Sequence, residues 1–187
     1  MALIYLAPMV VSVFMLLEQK AQGHYERSRA SGVKSLEVIS AHYSVEFIIL
    51  LVQNSLMLFT SIVYFNAQNY GSFILLFLIT LFVGMAGIST ALSSAVILET
   101  KLAGLVLIYG ITISLWIVCG IFWPTENIKY QIFRWIVPFF PLTLPTESAR
   151  NIMNRGWSID HYNVWIGFII TLIYILLPIW IAIRRLK

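Results

Sequence analysis

The chain has 187 residues, of which 60% are hydrophobic and only 11% are charged, a composition that excludes a soluble globular domain and indicates an integral membrane protein. Its net charge of +4 does not indicate a nucleic-acid partner, because the 12 basic residues are spread over short polar segments and the C-terminus. The single cysteine, Cys119, lies in an apolar run, so the chain cannot form an internal disulfide.

The hydrophobic segments predict an all-α, polytopic membrane bundle of about five transmembrane helices. The clearest evidence is residues 47–98, which carry no Asp, Glu, Lys or Arg and are too long for one crossing but suited to two. The polar residues from Asn66 to Gly71 fall near the middle of this stretch and predict the turn between the two helices. We expect spans at about residues 2–30, 43–65, 71–98, 102–123 and 161–184.

The first span is slightly short in apolar length, because its apolar run covers only residues 2–17. Its helix is expected to continue into the cytosol and to break around Ser31 and Gly32. Two alternatives stay open here. Residues 21–23 resemble a signal-peptidase site, although no basic residue precedes the apolar run, and Met1 is either a biological start or a fragment boundary.

The distribution of Lys and Arg predicts the orientation of the bundle. With the N-terminus outside and the C-terminus in the cytosol, eight of the twelve basic residues are cytosolic. These eight are Lys20, Arg27, Arg29, Lys34, Lys101, Arg184, Arg185 and Lys187. The other four lie in a long outer connection that is less constrained by this rule. We expect a multi-pass protein of the plasma membrane.

The cytosolic connection between the first two spans predicts a short helix near the membrane surface, at about residues 34–42. Apolar residues recur there at roughly helical spacing, namely Leu36, Val38, Ile39 and Tyr43. The alternative is an interfacial connector whose basic residues only meet anionic lipid headgroups.

The outer connection, residues 124–160, contains an apolar stretch that is too short to span and is interrupted by Pro138, Pro141 and Pro145. Because proline lacks an N–H and restricts the residue before it, this stretch is expected to dip into the membrane or to lie on it. A short helix is expected over residues 146–155, ended by Gly156, since late basic residues and a following glycine match the preferences of helix C-termini.

Polar side chains within the spans are few and predict neither a catalytic nor a metal centre, since the three histidines are far apart in the chain. Gln53 and Asn54 form the most polar pair near membrane depth, and they either line a pathway or form hydrogen bonds between helices. Ala86, Thr90 and Ser94 repeat every four residues and predict close packing of helices.

Four segments together resemble the permeases of ABC-2 type transporters. Residues 25–34, YERSRASGVK, look like the cytosolic "ER…GV" segment of that family. Residues 120–126, 139–150 and 154–159, which read GIFWPTE, FFPLTLPTESAR and NRGWSI, are similar to the last outer loop of ABCG and ABCH half-transporters, most closely the arthropod-type ABCH members. The resemblance covers essentially the whole chain.

This resemblance implies the C-terminal part of a transmembrane domain that exports lipids or other hydrophobic compounds. Six spans are expected in such domains, so the five predicted here would be the second to the sixth. The helix after Gly32 would be a coupling helix pressed against a nucleotide-binding domain. The positions implied for this contact are Glu26, Arg27, Gly32, Val33, Lys34 and Glu37. The positions implied for the substrate pathway are Phe14, Thr112 and Trp116, to which the polarity of Gln53 adds a fourth.

The 187 residues contain no Gly-x-x-x-x-Gly-Lys-Ser/Thr loop, so this chain alone is not expected to hydrolyse ATP or to hold a cofactor. ATP and Mg would bind a nucleotide-binding domain, either in a missing N-terminal part or on a separate subunit. The other implied partners are a second permease half, as a homodimer or heterodimer, a hydrophobic or lipid substrate and the bilayer. The main alternative is a nucleotide-independent channel or scaffold, although the spans lack the central ionisable residues typical of ion channels.

Overall fold

A computed structural model describes residues 1–98, 100–119 and 137–186, and in these ranges the regular structure is helical throughout. Within these ranges seven α-helices follow one another: α1 Ala2–Ala21, α2 His24–Ala30, α3 Ser35–Phe59, α4 Phe73–Ile97, α5 Lys101–Val118, α6 Thr143–Arg155 and α7 Tyr162–Leu186. A π-helical turn, Thr60–Tyr64, continues α3, and a 3-10 turn, Val137–Phe139, precedes α6. The predicted all-α, polytopic helical bundle is confirmed.

Four of these helices have the length and apolar composition needed to cross a bilayer, within the described residues. They cover Ala2–Ala21, Leu36–Tyr64, Phe73–Ile97 and Tyr162–Arg185. The apolar part of α5, Leu102–Ile117, is shorter than a full crossing. The predicted span over residues 102–123 extends past the described part of the chain, so its outer end lies outside the described residues.

The helices run alternately between two ends of the bundle, which we call the α2 end (residues 20–35, 97–98, 100–101 and 182–186) and the α6 end (residues 64–73 and 137–162). At the α2 end, the Lys20 ammonium donates to the carbonyl oxygen of Ala95 at 2.8 Å, so α1 and α4 finish together. At the α6 end, the backbone N–H of Tyr70 donates to the carbonyl oxygen of Met153 at 2.9 Å. The turn between α3 and α4 is thereby attached to α6.

Helix α4 lies at the centre of the bundle and packs against α1, α3, α6 and α7. Its small residues allow this close contact, because a side chain at Gly87 would collide with the backbone carbonyl of Tyr5. The Tyr5 hydroxyl lies 3.2 Å from the hydroxyl of Thr90, and Ala86 is 1% exposed. The stripe of small residues in α4 therefore serves helix packing, as its four-residue spacing predicts.

The structure corrects two predicted boundaries at the α2 end. The helix predicted over residues 2–30 is divided in two, because Gly23 adopts the left-handed conformation (φ 69°) that ends a helix. The surface helix predicted at 34–42 and the span predicted at 43–65 are one continuous helix, α3. No glycine or proline interrupts α3, so the hydrogen-bonded ladder continues through the expected break.

At the α6 end, the observed helix boundaries agree more closely with the predicted ones. Helix α6 begins at Thr143, three residues before the expected start, because Pro145 lies in the first turn, where a missing N–H leaves no bond unmade. It ends at Gly156, which takes the left-handed conformation expected of a C-terminal glycine (φ 65°). Residues 124–136 of the predicted outer loop lie outside the described residues.

Candidate functional site at the α2 end of the bundle

Helix α2 forms a short step between α1 and α3, bounded by two glycines with positive φ, Gly23 at 69° and Gly32 at 86°. A Cβ atom built on either glycine would meet no other atom within 4 Å, so the left-handed backbone alone favours glycine there. The N–H of Val33 donates to the carbonyl of Ser28 at 3.1 Å and closes the second turn. The step is thus compact, and the chain turns sharply at both of its ends.

The six positions implied for coupling fall together on this step and on the first turn of α3. Arg27, Gly32 and Lys34 are exposed, and Val33 is 37% exposed. The side chain of Glu26 lies outside the described part of the chain. A partner approaching the α2 end would therefore meet a polar, accessible surface.

Glu37 also has a local role that the sequence analysis did not assign to it. Its carboxylate Oε2 accepts a hydrogen bond of 3.1 Å from the backbone N–H of Lys34 and so satisfies a free donor where α3 begins. Its negative charge at a helix N-terminus is also favourable with respect to the helix dipole. Replacement of Glu37 would therefore disturb the start of α3 as well as any partner contact.

Side chains of the last turns of α1 attach this step to the rest of the bundle. The Lys20 ammonium donates to three carbonyl oxygens at the end of α4, those of Ala95, Val96 and Leu98, at 2.8, 3.0 and 3.1 Å. A cation at these free C-terminal carbonyls is favourable both as a hydrogen-bond donor and as a charge. In the preceding residue of α1, Gln19 Oε1 lies 2.7 Å from Nε2 of His42 in α3.

A groove with a volume of about 380 Å³ lies between α1, α2 with the turn that follows it, and the first three turns of α3. Its lining includes Gln19, Ser28, Glu37, His42 and Glu46 among apolar side chains. Glu46 is 3% exposed. Neither of its carboxylate oxygens has a hydrogen-bond partner in the part of the chain that the structure describes.

Glu46 was not predicted as a functional residue, and in the sequence it directly precedes the charge-free run of residues 47–98. A cue was nevertheless present in the spacing, because residues 38, 42 and 46 recur every four positions and lie on one face of α3. That face begins at the surface with Val38 and leads into the span.

The four predicted pathway residues are divided between two regions. Phe14 lies on α1 and is 38% exposed, whereas Thr112 and Trp116 lie one turn apart on the adjacent helix α5. Gln53 lies on α3, which packs against α1 and α4. Its neighbour Asn54 donates from Nδ2 to the carbonyl of Phe77 in α4 at 3.2 Å, which is the interhelical hydrogen bond expected for a polar residue in a span.

Among the described residues, no group of three or more His, Cys, Asp or Glu side chains is placed to hold a metal ion. The arrangement at the α2 end instead supplies an exposed polar step, a set of bonds that attach it to α3 and α4, and a groove lined in part by the buried carboxylate of Glu46.

Comparison with known proteins adds two findings. Residues 1–154 match the family model described as ABC-2 type transporter. The chain is also 26% identical, over 171 residues, to the Dictyostelium discoideum protein named ABC transporter G family member 20. That alignment covers 91% of this chain but only 23% of the relative, so the chain spans about a quarter of the length of the curated protein it matches.

No solved structure matches the chain at a significant level. The family match nevertheless covers most of the sequence, and the relative belongs to the G group of ABC transporters, as the resemblance in the cytosolic and outer segments implied. The chain therefore belongs to the ABC-2 type transporter family, as an ABCG-like permease domain of a multi-pass membrane transporter.

Proposed function

We propose that this chain is the transmembrane part of an ATP-driven exporter of lipids or other hydrophobic compounds, and that the α2 step is the surface on which a nucleotide-binding domain docks. The observation that carries the proposal is the step itself. It is exposed, carries Arg27 and Lys34, and is bonded through α1 to the end of the central helix α4. A surface of this kind can transmit a displacement of the docked domain to the helices of the bundle.

The comparisons support the first half of the proposal. The family is one of transporters, and the relative is named an ABC transporter. Because the relative extends far beyond the aligned region, a nucleotide-binding domain would lie in further sequence or on a separate subunit. ATP and Mg would bind there. A second permease half would complete the pathway, as a homodimer or a heterodimer.

The proposed orientation places the α2 end in the cytosol and the α6 end outside, in the plasma membrane. It agrees with the excess of Lys and Arg at the α2 end, where Arg27, Lys34, Arg184 and Arg185 are located.

The proposed movement is a rigid-body one. When the nucleotide-binding domains close, α2 is displaced, and the displacement reaches α1 across the break at Gly23 and α3 across the turn at Gly32. Helices α1 and α5, which carry Phe14, Thr112 and Trp116, then tilt relative to the second permease half. A central cavity would open outward by this alternating access.

The test uses the complete transporter in lipid vesicles, with ATP hydrolysis and ATP-dependent lipid export measured on the same preparation. Arg27→Glu reverses a charge on the exposed step and is expected to lower both rates at least about fivefold, because like charges across an interface oppose docking. Asp160→Lys is the matched control, since it makes an equally large charge change at an exposed residue of the α6 end. It is expected to leave both rates unchanged.

Two results would count against the proposal. If Arg27→Glu and Asp160→Lys behave alike, the α2 step is not the docking surface. If export by the wild-type protein continues without ATP, the chain is a nucleotide-independent channel instead.

A further inference from the structure

Glu46 is the described side chain whose environment the proposed function does not explain. It lies 11 residues after the first residue of α3, Ser35, about 16 Å along the helix, and so within the candidate span Leu36–Tyr64. A carboxylate buried there without a hydrogen bond is costly, and an ionisable residue in a span is a functional candidate by default. Its oxygens have no hydrogen-bond partner among the described residues.

No described basic side chain at the α2 end donates a hydrogen bond to Glu46. Lys20 is turned toward α4, where its ammonium contacts three carbonyl oxygens. Lys34 lies twelve residues before Glu46, about 18 Å along the same helix, which exceeds the reach of its side chain. His42 is one turn away, but its Nε2 is already placed against Gln19. The described residues therefore leave both carboxylate oxygens buried and without a hydrogen-bond donor.

The lining of the groove indicates what kind of group could pair with the carboxylate. Polar side chains, among them Ser28 and Glu37, line it together with Glu46. Apolar side chains also line it, two of which, Met15 and Val45, are 38% and 50% exposed. An apolar tail can thus remain among these residues and the lipid while a charged head reaches the carboxylate.

A metal ion fits this site less well than an organic cation. Hard cations such as Ca²⁺ and Mg²⁺ take six or more oxygen ligands, and Zn²⁺ takes four nitrogen, sulfur or oxygen ligands. The described residues form no group of three or more His, Cys, Asp or Glu side chains that could hold a metal ion. The buried carboxylate of Glu46, beside the apolar side chains that also line the groove, instead suits a single ammonium carried on a hydrocarbon chain.

We propose that this groove binds the amino group of an amphiphilic amine, with the ammonium paired to Glu46 and the hydrocarbon chain along Met15, Val38 and Val45. The ligand chemistry is a primary ammonium, supplied either by an amine lipid or by a soluble organic amine. The use of this groove as an entry site for an exported compound rests on the proposed function, whereas the binding itself does not.

The experiment is equilibrium binding of radiolabelled dodecylammonium to the complete transporter in lipid nanodiscs without nucleotide. Saturable binding is expected, and dodecanol, which has the same chain without the charge, is expected to compete poorly. Glu46→Gln keeps the size of the side chain but removes the charge, and is expected to weaken dodecylammonium binding at least about tenfold. Asp160→Asn removes an exposed carboxylate at the α6 end and is the matched control, with no expected change.

A second variant tests the groove without touching the carboxylate. Ala41 lines the groove and is exposed, so Ala41→Trp would fill it while leaving Glu46 in place. It is expected to weaken the binding of dodecylammonium. The proposal therefore remains testable even if Glu46→Gln does not fold. Competition by butylammonium then distinguishes the sources, since equal competition supports a soluble amine and weak competition supports an amine lipid.

The proposal is overturned if the wild type and Glu46→Gln bind the probe equally. It is also overturned if the wild type shows no saturable binding, which would leave the groove to a cationic side chain of a partner protein. Because nucleotide is absent, these outcomes are independent of ATP-driven export. If dodecylammonium binding depends on Glu46 but no ATP-driven transport is found, the amine-binding site is supported and the proposed export function is rejected.

Discussion

Helices α3 and α4 have the same length, 25 residues each, but very different environments. In the most apolar window of each span, 17% of the residues are buried in the α3 span and 56% in the α4 span. Both are hydrophobic on most sides, so hydrophobicity does not distinguish them. The difference lies in side-chain size, because α4 presents Gly84, Gly87, Ala86 and Ala91 to its neighbours. In a membrane bundle, small residues determine which helix is central.

The largest expected effect is the difference in stability loss between matched side-chain truncations in α4 and in α3. Ile88 in α4 is 0% exposed and Leu56 in α3 is 65% exposed. Ile88→Ala leaves a cavity and is expected to lower stability by about 2–5 kcal/mol. Leu56→Ala is expected to stay within about 0.5 kcal/mol. The measurement is the apparent melting temperature of the complete transporter in detergent, by fluorescence-detected gel filtration, and equal losses would contradict the comparison.

A smaller effect tests the close approach of α4 to α1. Gly87→Ala places a methyl group against the Tyr5 backbone carbonyl, so we expect a loss of about 1–3 kcal/mol from overpacking. Gly110→Ala in α5 is the control, because its Cβ would meet no atom within 4 Å. There the gain in helix propensity is expected to raise stability by up to about 1 kcal/mol. The same melting assay would reject the α1 contact if both variants were stabilised.

The smallest effect concerns a hydrogen bond between α3 and α4. The Tyr43 hydroxyl donates to the carbonyl of Met85 at 3.2 Å and lies 3.2 Å from the Ser89 hydroxyl. Tyr43→Phe is expected to cost about 1 kcal/mol. Tyr109→Phe, at a residue that is 50% exposed on α5, is expected to change the melting temperature little. A similar shift in both variants would mean that the Tyr43 hydroxyl contributes no bond to the packing of α3 on α4.

Much of the fold could be predicted because apolar length and turn residues are local properties. The charge-free run placed α4 to within two residues, 71–98 against Phe73–Ile97, and Gly156 ends α6 as expected. The break at Gly23 was missed because α1 becomes polar before it ends, so that the glycine resembled part of a longer cytosolic helix. The continuity of α3 was missed because a change in polarity was taken for a change in structure.

The candidate site was predictable only in part. The six implied coupling positions lie within residues 26–37, and the local sequence was enough to place them together on the α2 step and at the start of α3. Burial of Glu46 and its lack of a described partner depend on where α1 and α2 pack, which no local pattern encodes. Neither does the sequence alone show that Lys20 reaches across to α4, 75 residues away along the chain.

The bonds from Lys20 to the last carbonyls of α4 have a mechanical consequence. They join the last turn of α1 to the end of the central helix α4, so any displacement of α1 at this end would also move α4. The turn at Gln22 and Gly23 lies between these bonds and α2, and its rigidity would decide how much of a movement of α2 reaches the middle of the bundle.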